Sequence, residues 1–227
     1  MARTRDIAAH ALRRDEILDA AERQIRIGGY DAMSVQALQD ELGVSRGAIY
    51  HYFGSKEAIL GAVLERMTDV AMAVINPIAD DPALSALEQL QAVFTTGAQW
   101  KAQRSDLLLA VLRSWHAPAN DLVRSRAQSA ANDAFVPLIS RIVGRGVEEG
   151  TMNPSSPKDA AVIISALFTG SADVIFNLID ARLDGRVPFE EVQRFIHAYE
   201  EAIERILGLP PGSFTLIDTA SLHTWFA

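Results

Sequence analysis

Apolar residues recur along most of the chain at the three- and four-residue spacing of amphipathic helices. In the first such segment Ile17, Leu18, Ala21 and Ile25 share one face, and a Gly-Gly pair follows as a stop signal. This pattern predicts a first helix over about 13–27. The sequence contains no paired strand pattern, no hairpin turn signal and no internal repeat. The predicted fold class is therefore all-α.

Two short helices and a long one are predicted next. Ser34 caps a helix that ends before Gly43, and Ser45 caps another that runs to about Phe53. Ser55 then caps a helix over about 56–75. At ~1.5 Å per residue this helix spans roughly 30 Å, which is enough to connect two modules.

The rest of the chain is predicted to form five helices and an irregular tail. The first of these begins with Asp81 as its cap and Pro82 in its first turn. Pro118 separates two helices, and Pro137 is expected to kink a long one because proline cannot donate to the preceding turn. The helices are predicted at about 82–102, 105–116, 119–149, 157–182 and 188–207, and the tail at 208–227.

Composition excludes several classes of protein. Hydrophobic residues make up 49% and charged residues 22% of the 227 residues, as in ordinary folded domains. The longest uncharged run, 160–172, is shorter than the roughly 18 residues of a membrane span. No signal-peptide pattern is found, so a cytoplasmic protein is predicted. Because the chain has no cysteine, disulfides and thiolate sites are excluded.

The net charge of −8 is unevenly distributed along the chain. Residues 1–56 contain 8 basic and 8 acidic side chains, so the whole excess lies in 57–227. Within 42–56 the charged residues are Arg46 and Lys56, with no acid. Because the local electrostatic potential determines which partner can bind at a surface, the overall negative charge does not exclude a nucleic-acid partner.

The two short capped helices, joined by a tight turn, form the pattern of a helix-turn-helix, whose second helix can enter the DNA major groove. Ile49 and Phe53 are four residues apart and predict its buried face. The small residues at 47 and 48 would allow close approach to DNA, and the aromatic run 50–52 lies partly outside the core. The alternative is that Tyr50, Tyr52 and Phe53 fill a small core and that the charges of Arg46 and Lys56 are solvated.

The segment 34–60, SVQALQDELGVSRGAIYHYFGSKEAIL, resembles the DNA-binding signature of the tetracycline-repressor (TetR) family of bacterial transcription regulators. The helix order over about 13–207 is also similar to that family's three-helix head and helical regulatory body. The resemblance implies a helix-turn-helix DNA-binding domain at 1–56 and a ligand-binding and dimerisation domain at 57–227. Gln39 and Leu42 depart from the family pattern, in which both positions are usually small.

Carried over to this sequence, the resemblance assigns contacts to nine residues. Ser34 and Lys56 would contact phosphates, Tyr50 and His51 bases or backbone, and Tyr52 backbone. The residues expected to face the groove are Ser45, Arg46, Gly47 and Ala48. In the extension 1–12, Arg3 and Arg5 could reach a neighbouring minor groove, or the terminus could be disordered.

The resemblance also implies a homodimer through the last two long helices and a small-molecule site in the body. The apolar stripe of the last helix agrees with a dimer, with candidate interface residues Phe195, Ile196, Tyr199 and Ile203. A polar thread at every fourth position of helix 157–182 either lines a pocket or is hydrogen-bonded core. The candidate pocket residues are Phe94, Trp100, Trp115, His116, Phe135, Ser165, Thr169, Asp173, Phe176 and Asn177. An ionised, buried Asp173 would favour a cationic or hydrogen-bond-donating ligand.

No pattern in the sequence points to an enzyme. The five histidines are scattered, and no phosphate-binding, dinucleotide-binding or nucleophile-elbow motif is present. We therefore predict no catalytic residue, no metal site and no cofactor. The predicted function is a homodimeric repressor that binds a palindromic double-stranded DNA operator and is released by a small molecule. The alternatives are a helical small-molecule-binding protein or enzyme, and a DNA-binding protein controlled by a protein partner.

Overall fold

The computed structural model describes residues 2–114 and 120–226, with side chains except at 2–7, 171–173, 176, 183 and 226. This part of the chain forms ten α-helices and no strand, which confirms the all-α prediction. In chain order the helices are α1 (Ala2–Ala32), α2 (Val35–Leu42), α3 (Arg46–Tyr52), α4 (Lys56–Ala79), α5 (Ala86–Ala102), α6 (Ser105–Arg113), α7 (Asp121–Glu148), α8 (Pro157–Leu183), α9 (Phe189–Leu207) and α10 (Thr219–Phe226).

The chain divides into two compact units. Unit 1 comprises Met1–Thr68 and Asp106–Ala127, and unit 2 comprises Asp69–Ser105 and Gln128–Ala227. Unit 1 thus contains α1 to α3, the first half of α4, almost all of α6 and the start of α7. The domain boundary after residue 56 stays a prediction.

The core of unit 1 is built on the apolar stripe predicted for the first helix. Ile17, Leu18, Ala21 and Ile25 are all buried, which confirms that stripe. Burial of an aliphatic side chain of this size stabilises a fold by about 1.5–3 kcal/mol. The buried side chains of the other helices in this unit include Leu38, Ile49, Ile59, Val63, Leu107 and Val111.

The first helix is longer at both ends than the predicted 13–27. It begins at Ala2, and the expectation that Arg3 and Arg5 reach a neighbouring minor groove stays a prediction. Gly29 adopts φ 78° and ψ 167°, which breaks the regular helix at the predicted stop. This region of conformational space is essentially restricted to glycine. A short helical turn follows the break and carries the buried Tyr30.

In unit 2 the helix predicted from residue 82 begins later, at Ala86. Ser85 accepts from the Glu88 amide, and the Glu88 carboxylate accepts from the Ser85 amide at 2.7 Å, which completes a capping box. Asp81 accepts instead from the amide of Ala83 at 2.9 Å and forms a turn ahead of the helix. The prediction of Asp81 as the cap was therefore wrong, because the helix begins at Ala86 and the capping box of Ser85 and Glu88 satisfies two of its free amides.

The C-terminal tail was predicted to be irregular, and this prediction was wrong for its last part. Thr219–Phe226 forms α10, and Phe214 and Leu216 are buried in the core of unit 2. The amides of Phe214 and Leu216 donate to the carboxylates of Glu204 and Glu200 on α9, at 3.0 and 2.8 Å. The tail is therefore part of the packed structure of this unit.

Candidate nucleic-acid interface

Serine caps position the two short helices of unit 1, as predicted. Ser34 Oγ accepts from the amide of Ala37 at 3.1 Å, and Ser45 Oγ accepts from the amide of Ala48 at 3.2 Å. Gly43 ends α2 in the left-handed region with φ 65°, where a side chain would be strained. α2 and α3 are thus joined by a short turn, which confirms the helix-turn-helix pattern.

The second of these helices, α3, buries one face and exposes the other. Ile49 is fully buried and Phe53 is buried at the end of the helix, as predicted. Tyr50 is 40% exposed, His51 is exposed and Tyr52 is half-buried. Of the three rings that the alternative places in a small core, Phe53 is buried and Tyr52 is half-buried, whereas Tyr50 lies outside it.

The N-terminal end of α3 offers an open surface. Ser45, Arg46 and Gly47 are exposed, and Ala48 is half-buried. A Cβ at Gly47 would meet only Ser45 Oγ, at 3.9 Å, so the packing around this position does not require glycine. The small residue instead leaves room for a partner to approach the backbone.

Arg46 lies along Tyr50 on this exposed face. Its Nη2 donates to the Tyr50 hydroxyl at 3.4 Å, and its guanidinium carbon is 5.4 Å from the centre of the Tyr50 ring. A guanidinium carries five N–H donors, so most of them stay available to a phosphate or a guanine edge.

Lys56, at the start of α4, is held by residues that sequence reasoning missed. Its Nζ donates to the backbone carbonyl of Asp31 at 3.1 Å and lies 4.4 Å from the centre of the Tyr30 ring. A cation over an aromatic face is attracted by the ring quadrupole. The only sequence signal for this contact is the Gly29 break, which turns the end of α1 toward α4.

The hydroxyl of Tyr30 is buried in this arrangement. It has no hydrogen-bond partner in the part of the chain that the structure describes. Burial, with Glu57 and Asp31 nearby, raises the pKa of Tyr30 to about 12. The raised pKa means that folding favours the neutral phenol, so this contribution to stability is complete below about pH 10.

Replacement of Tyr30 by phenylalanine is expected to leave stability at pH 7 unchanged or to raise it by up to about 1 kcal/mol, because it removes a buried polar group without a partner. The wild-type protein should lose stability as the pH rises from about 10 to 12, and Tyr30→Phe should lose less. Urea denaturation at pH 7 and pH 10.5 measures both effects. A marked loss at pH 7 would show instead that the hydroxyl has a stabilising partner.

A second candidate site lies in unit 2, in a cleft of about 380 Å³ between α7 and α8. Ser165 Oγ donates to Asn132 Oδ1 at 2.6 Å, and Thr169 Oγ1 donates to the Ser165 carbonyl at 3.0 Å. Pro137, which has no N–H, leaves the backbone carbonyl of Asp133 without its helical donor. The lining residues are Asn132, Asp133, Val136, Pro137, Val162, Ser165, Ala166 and Thr169.

The cleft contains two of the ten candidate pocket residues, Ser165 and Thr169. Phe94 and Phe135 do not line it, because their rings pack edge to face at 5.6 Å within the core. Trp100 is buried elsewhere, under the guanidinium of Arg104, and Asn177 is exposed beyond the cleft. Four candidates lie outside the residues or side chains that the structure describes: Trp115, His116, Asp173 and Phe176.

The candidate dimer residues on α9 differ in exposure. Ile203 is fully buried within the chain, so the prediction that it contacts a partner was wrong. Ile196 and Tyr199 are partly buried against the same core, and Phe195 is half-exposed. Three apolar side chains of α8 are more exposed than these: Val162, Ile163 and Val174.

The described part of the chain contains neither a candidate metal site nor a candidate membrane-spanning helix. Among the side chains that the structure describes, no three from His, Asp or Glu come together in a way that could hold a metal ion. In the same residues no helix is both long and apolar enough to cross a membrane.

Residues 17–63 match the family described as bacterial regulatory proteins, tetR family. The chain is 30% identical over 205 residues to the HTH-type transcriptional regulator BetI of Rhizobium meliloti, covering 82% of this chain and 98% of BetI. It is 42% identical over 66 residues to the HTH-type transcriptional repressor Rv1474c of Mycobacterium tuberculosis, covering 29% of this chain but only 35% of that repressor.

The fold agrees with these sequence matches. The transcriptional regulator FadR of Bacillus subtilis, solved in complex with stearoyl-CoA, has a TM-score of 0.57 at 20% identity, covering 71% of this chain and 83% of FadR. By architecture, the described part of the protein is thus all-α with a helix-turn-helix. The chain belongs to the TetR family of bacterial regulatory proteins.

Proposed function

We propose that the protein is a cytoplasmic, homodimeric transcriptional repressor, and not an enzyme, that binds a palindromic operator through α3 and releases it when a small molecule binds in unit 2. The observation that carries the proposal is that α3 has one buried face and one exposed face. Ile49 anchors the helix, while Arg46, Gly47, Tyr50 and His51 face outward. An anchored helix with an exposed basic and aromatic face is what major-groove recognition requires.

The proposed DNA contacts follow from the chemistry of the exposed groups. Arg46 and Tyr50 present donors to base edges or phosphates, and His51 lies beside them. Lys56 and the Ser34 hydroxyl would bind phosphates at the two sides of the groove, with Ser45, Gly47, Ala48 and Tyr52 close to the DNA backbone.

A homodimer is supported by the exposed apolar residues of α8. Val162, Ile163 and Val174 are each between 44% and 50% exposed. A two-fold interface that buries them, with Phe195, Ile196 and Tyr199 of α9 at its edge, would present two copies of α3 to half-sites about 34–36 Å apart.

A small-molecule effector is supported by the cleft between α7 and α8, which joins an apolar wall to hydroxyl, amide and carboxylate groups. The complex of FadR with stearoyl-CoA shows only that a protein of this fold can bind a small molecule. We propose that the effector fits the form of the protein that binds the operator poorly. The shift in operator affinity then equals its differential binding free energy, typically about 1–3 kcal/mol.

The experiment that tests this function is capture of genomic fragments by the purified full-length chain at near-physiological salt, followed by sequencing of what is retained. Recovery of a palindrome is the expected result, and sedimentation of the protein should give a dimer. A small molecule that raises the melting temperature and also releases the captured duplex would identify the effector. Retention no better than background would reject operator binding.

Replacement of Tyr50 or Lys56 by alanine is expected to lower operator affinity by about tenfold, because each contact contributes on the order of 1–3 kcal/mol. Lys56→Ala should also reduce the slope of log affinity against log salt by about 0.9, whereas Tyr50→Ala should leave the slope unchanged. Fluorescence anisotropy with the captured duplex measures both quantities. Lys158→Ala, which removes the same charge from an exposed position on α8, is the matched control. Wild-type affinity in both test variants would reject these assignments.

A further inference from the structure

The N-terminal part of α1 continues the face that packs into the core of unit 1. His10 lies on the same side of the helix as Arg14, Ile17 and Ala21, which follow it by four, seven and eleven residues. Ile17 and Ala21 are buried among the other helices of the unit. This face of α1 therefore extends about two turns beyond the core, as far as His10.

At its far end this face meets the last residues of α3. The centre of the His10 ring lies 4.5 Å from that of Tyr52 and 5.9 Å from that of His51. The rings of His51 and Tyr52 are themselves 5.3 Å apart, so three rings contact one another. One turn further along α1, the guanidinium of Arg14 lies 5.4 Å from the centre of the Phe53 ring. α1 thus contacts three consecutive residues at the end of the recognition helix.

We propose that His10 is a positioning residue of the DNA-binding surface, which holds the rings of His51 and Tyr52 in the orientation that binds the operator. The inference rests on the proposed function, because it assigns a role within the same site. An exposed ring such as His51 pays conformational entropy when DNA fixes its rotamer. Contact with a ring on a second helix fixes that rotamer beforehand, and such preorganisation raises affinity.

The positioning role of His10 can be distinguished by experiment from direct binding of a phosphate by a cationic His10. A positioning role needs an aromatic ring at residue 10 and no charge, so phenylalanine should replace histidine. A phosphate contact needs the charge, so phenylalanine should fail and the salt dependence of binding should become weaker.

The test measures the affinity of His10→Ala and His10→Phe for the operator duplex recovered by genomic capture, across a series of salt concentrations. His10→Ala is expected to bind roughly twofold to tenfold more weakly, which corresponds to the loss of aromatic contacts. His10→Phe is expected to bind within about twofold of wild type, and both variants should keep the wild-type salt slope. Leu12→Ala, at a 66% exposed position two residues along α1 and on nearly the opposite side of the helix, is the control. Because His10 is exposed, both variants should keep the wild-type melting curve.

Three results would overturn the proposal. Wild-type affinity in His10→Ala would mean that the ring contacts do not affect binding. Equal weakness of His10→Phe and His10→Ala, with a salt slope lower by about 0.9, would replace positioning by a direct phosphate contact. Failure of the wild-type protein to bind any duplex would reject the proposed function together with this inference, whereas the first two results leave the proposed function intact.

Discussion

Replacement of Phe214 by alanine is expected to destabilise unit 2 by about 3 to 5 kcal/mol. The ring is 2% exposed and packs edge to face on Phe94, with 5.3 Å between ring centres. Its removal leaves a cavity whose aromatic walls cannot collapse easily, because Phe94 is also held by Phe135 and Phe168. Urea denaturation followed by circular dichroism measures the change in the free energy of unfolding.

The neighbouring residue provides a matched control for this prediction. Both backbone groups of Thr215 pair with the side chain of Gln91, at 2.6 and 2.7 Å, but its own side chain is exposed. Thr215→Ala should therefore change stability by less than about 0.5 kcal/mol. Equal stabilities of Phe214→Ala and Thr215→Ala would mean that the tail lies on the surface of the unit without contributing to its core.

The same tail shows why part of the fold could not be predicted from the sequence. Phe214 and Leu216 have no helical periodicity, and their structure comes from partners on α5 and α9. Gln91 is 124 residues away from Thr215 in the chain, so no local pattern reveals that pairing. In contrast, the start of α5 could have been predicted, since the Ser85 and Glu88 spacing is the signature of a capping box.

The helix-turn-helix was predicted well because its signals are local. The Ser34 and Ser45 caps, the left-handed Gly43 and the Ile49 anchor each act within a few residues of their position in the sequence. The surroundings of this motif are long-range. His10 and Asp31 contact residues that are 25 or more positions away, so no local pattern in the sequence indicates these contacts.

The proposed effector site was the least predictable feature. The polar thread at every fourth position of α8 made Ser165 and Thr169 candidates for a pocket, and both line the cleft between α7 and α8, whose role as an effector site stays a prediction. The aromatic residues were expected to form its walls, but Phe94 and Phe135 pack against other rings of the core. Amino-acid type alone does not distinguish an aromatic residue in a core from one that lines a cavity.

Replacement of Arg66 by methionine is expected to destabilise unit 1 by about 2 kcal/mol. Arg66 on α4 joins two carboxylates of α1: its Nε donates to Glu22 at 3.1 Å and its Nη1 to Asp19 at 2.8 Å. The side chains of Arg66 and Glu22 are only 23% and 24% exposed. A surface ion pair contributes about 0–1 kcal/mol to stability, and disruption of a buried one costs about 3–5 kcal/mol. The contribution of this partly buried network is expected to lie between these values. Because methionine keeps the apolar part of the side chain, the loss of stability measures the contribution of the charged group.

Two further variants separate the charge network from general effects of the substitution. Arg66→Met combined with Glu22→Gln should recover more than half of the lost stability, because no partly buried carboxylate is then left without its cation. Arg205→Met breaks a single pair with Glu201 at a 75% exposed position and should change stability by less than about 0.5 kcal/mol. If Arg66→Met cost no more than Arg205→Met, the network would be a solvated surface feature, and the pairing of α1 with α4 would depend on the apolar core alone.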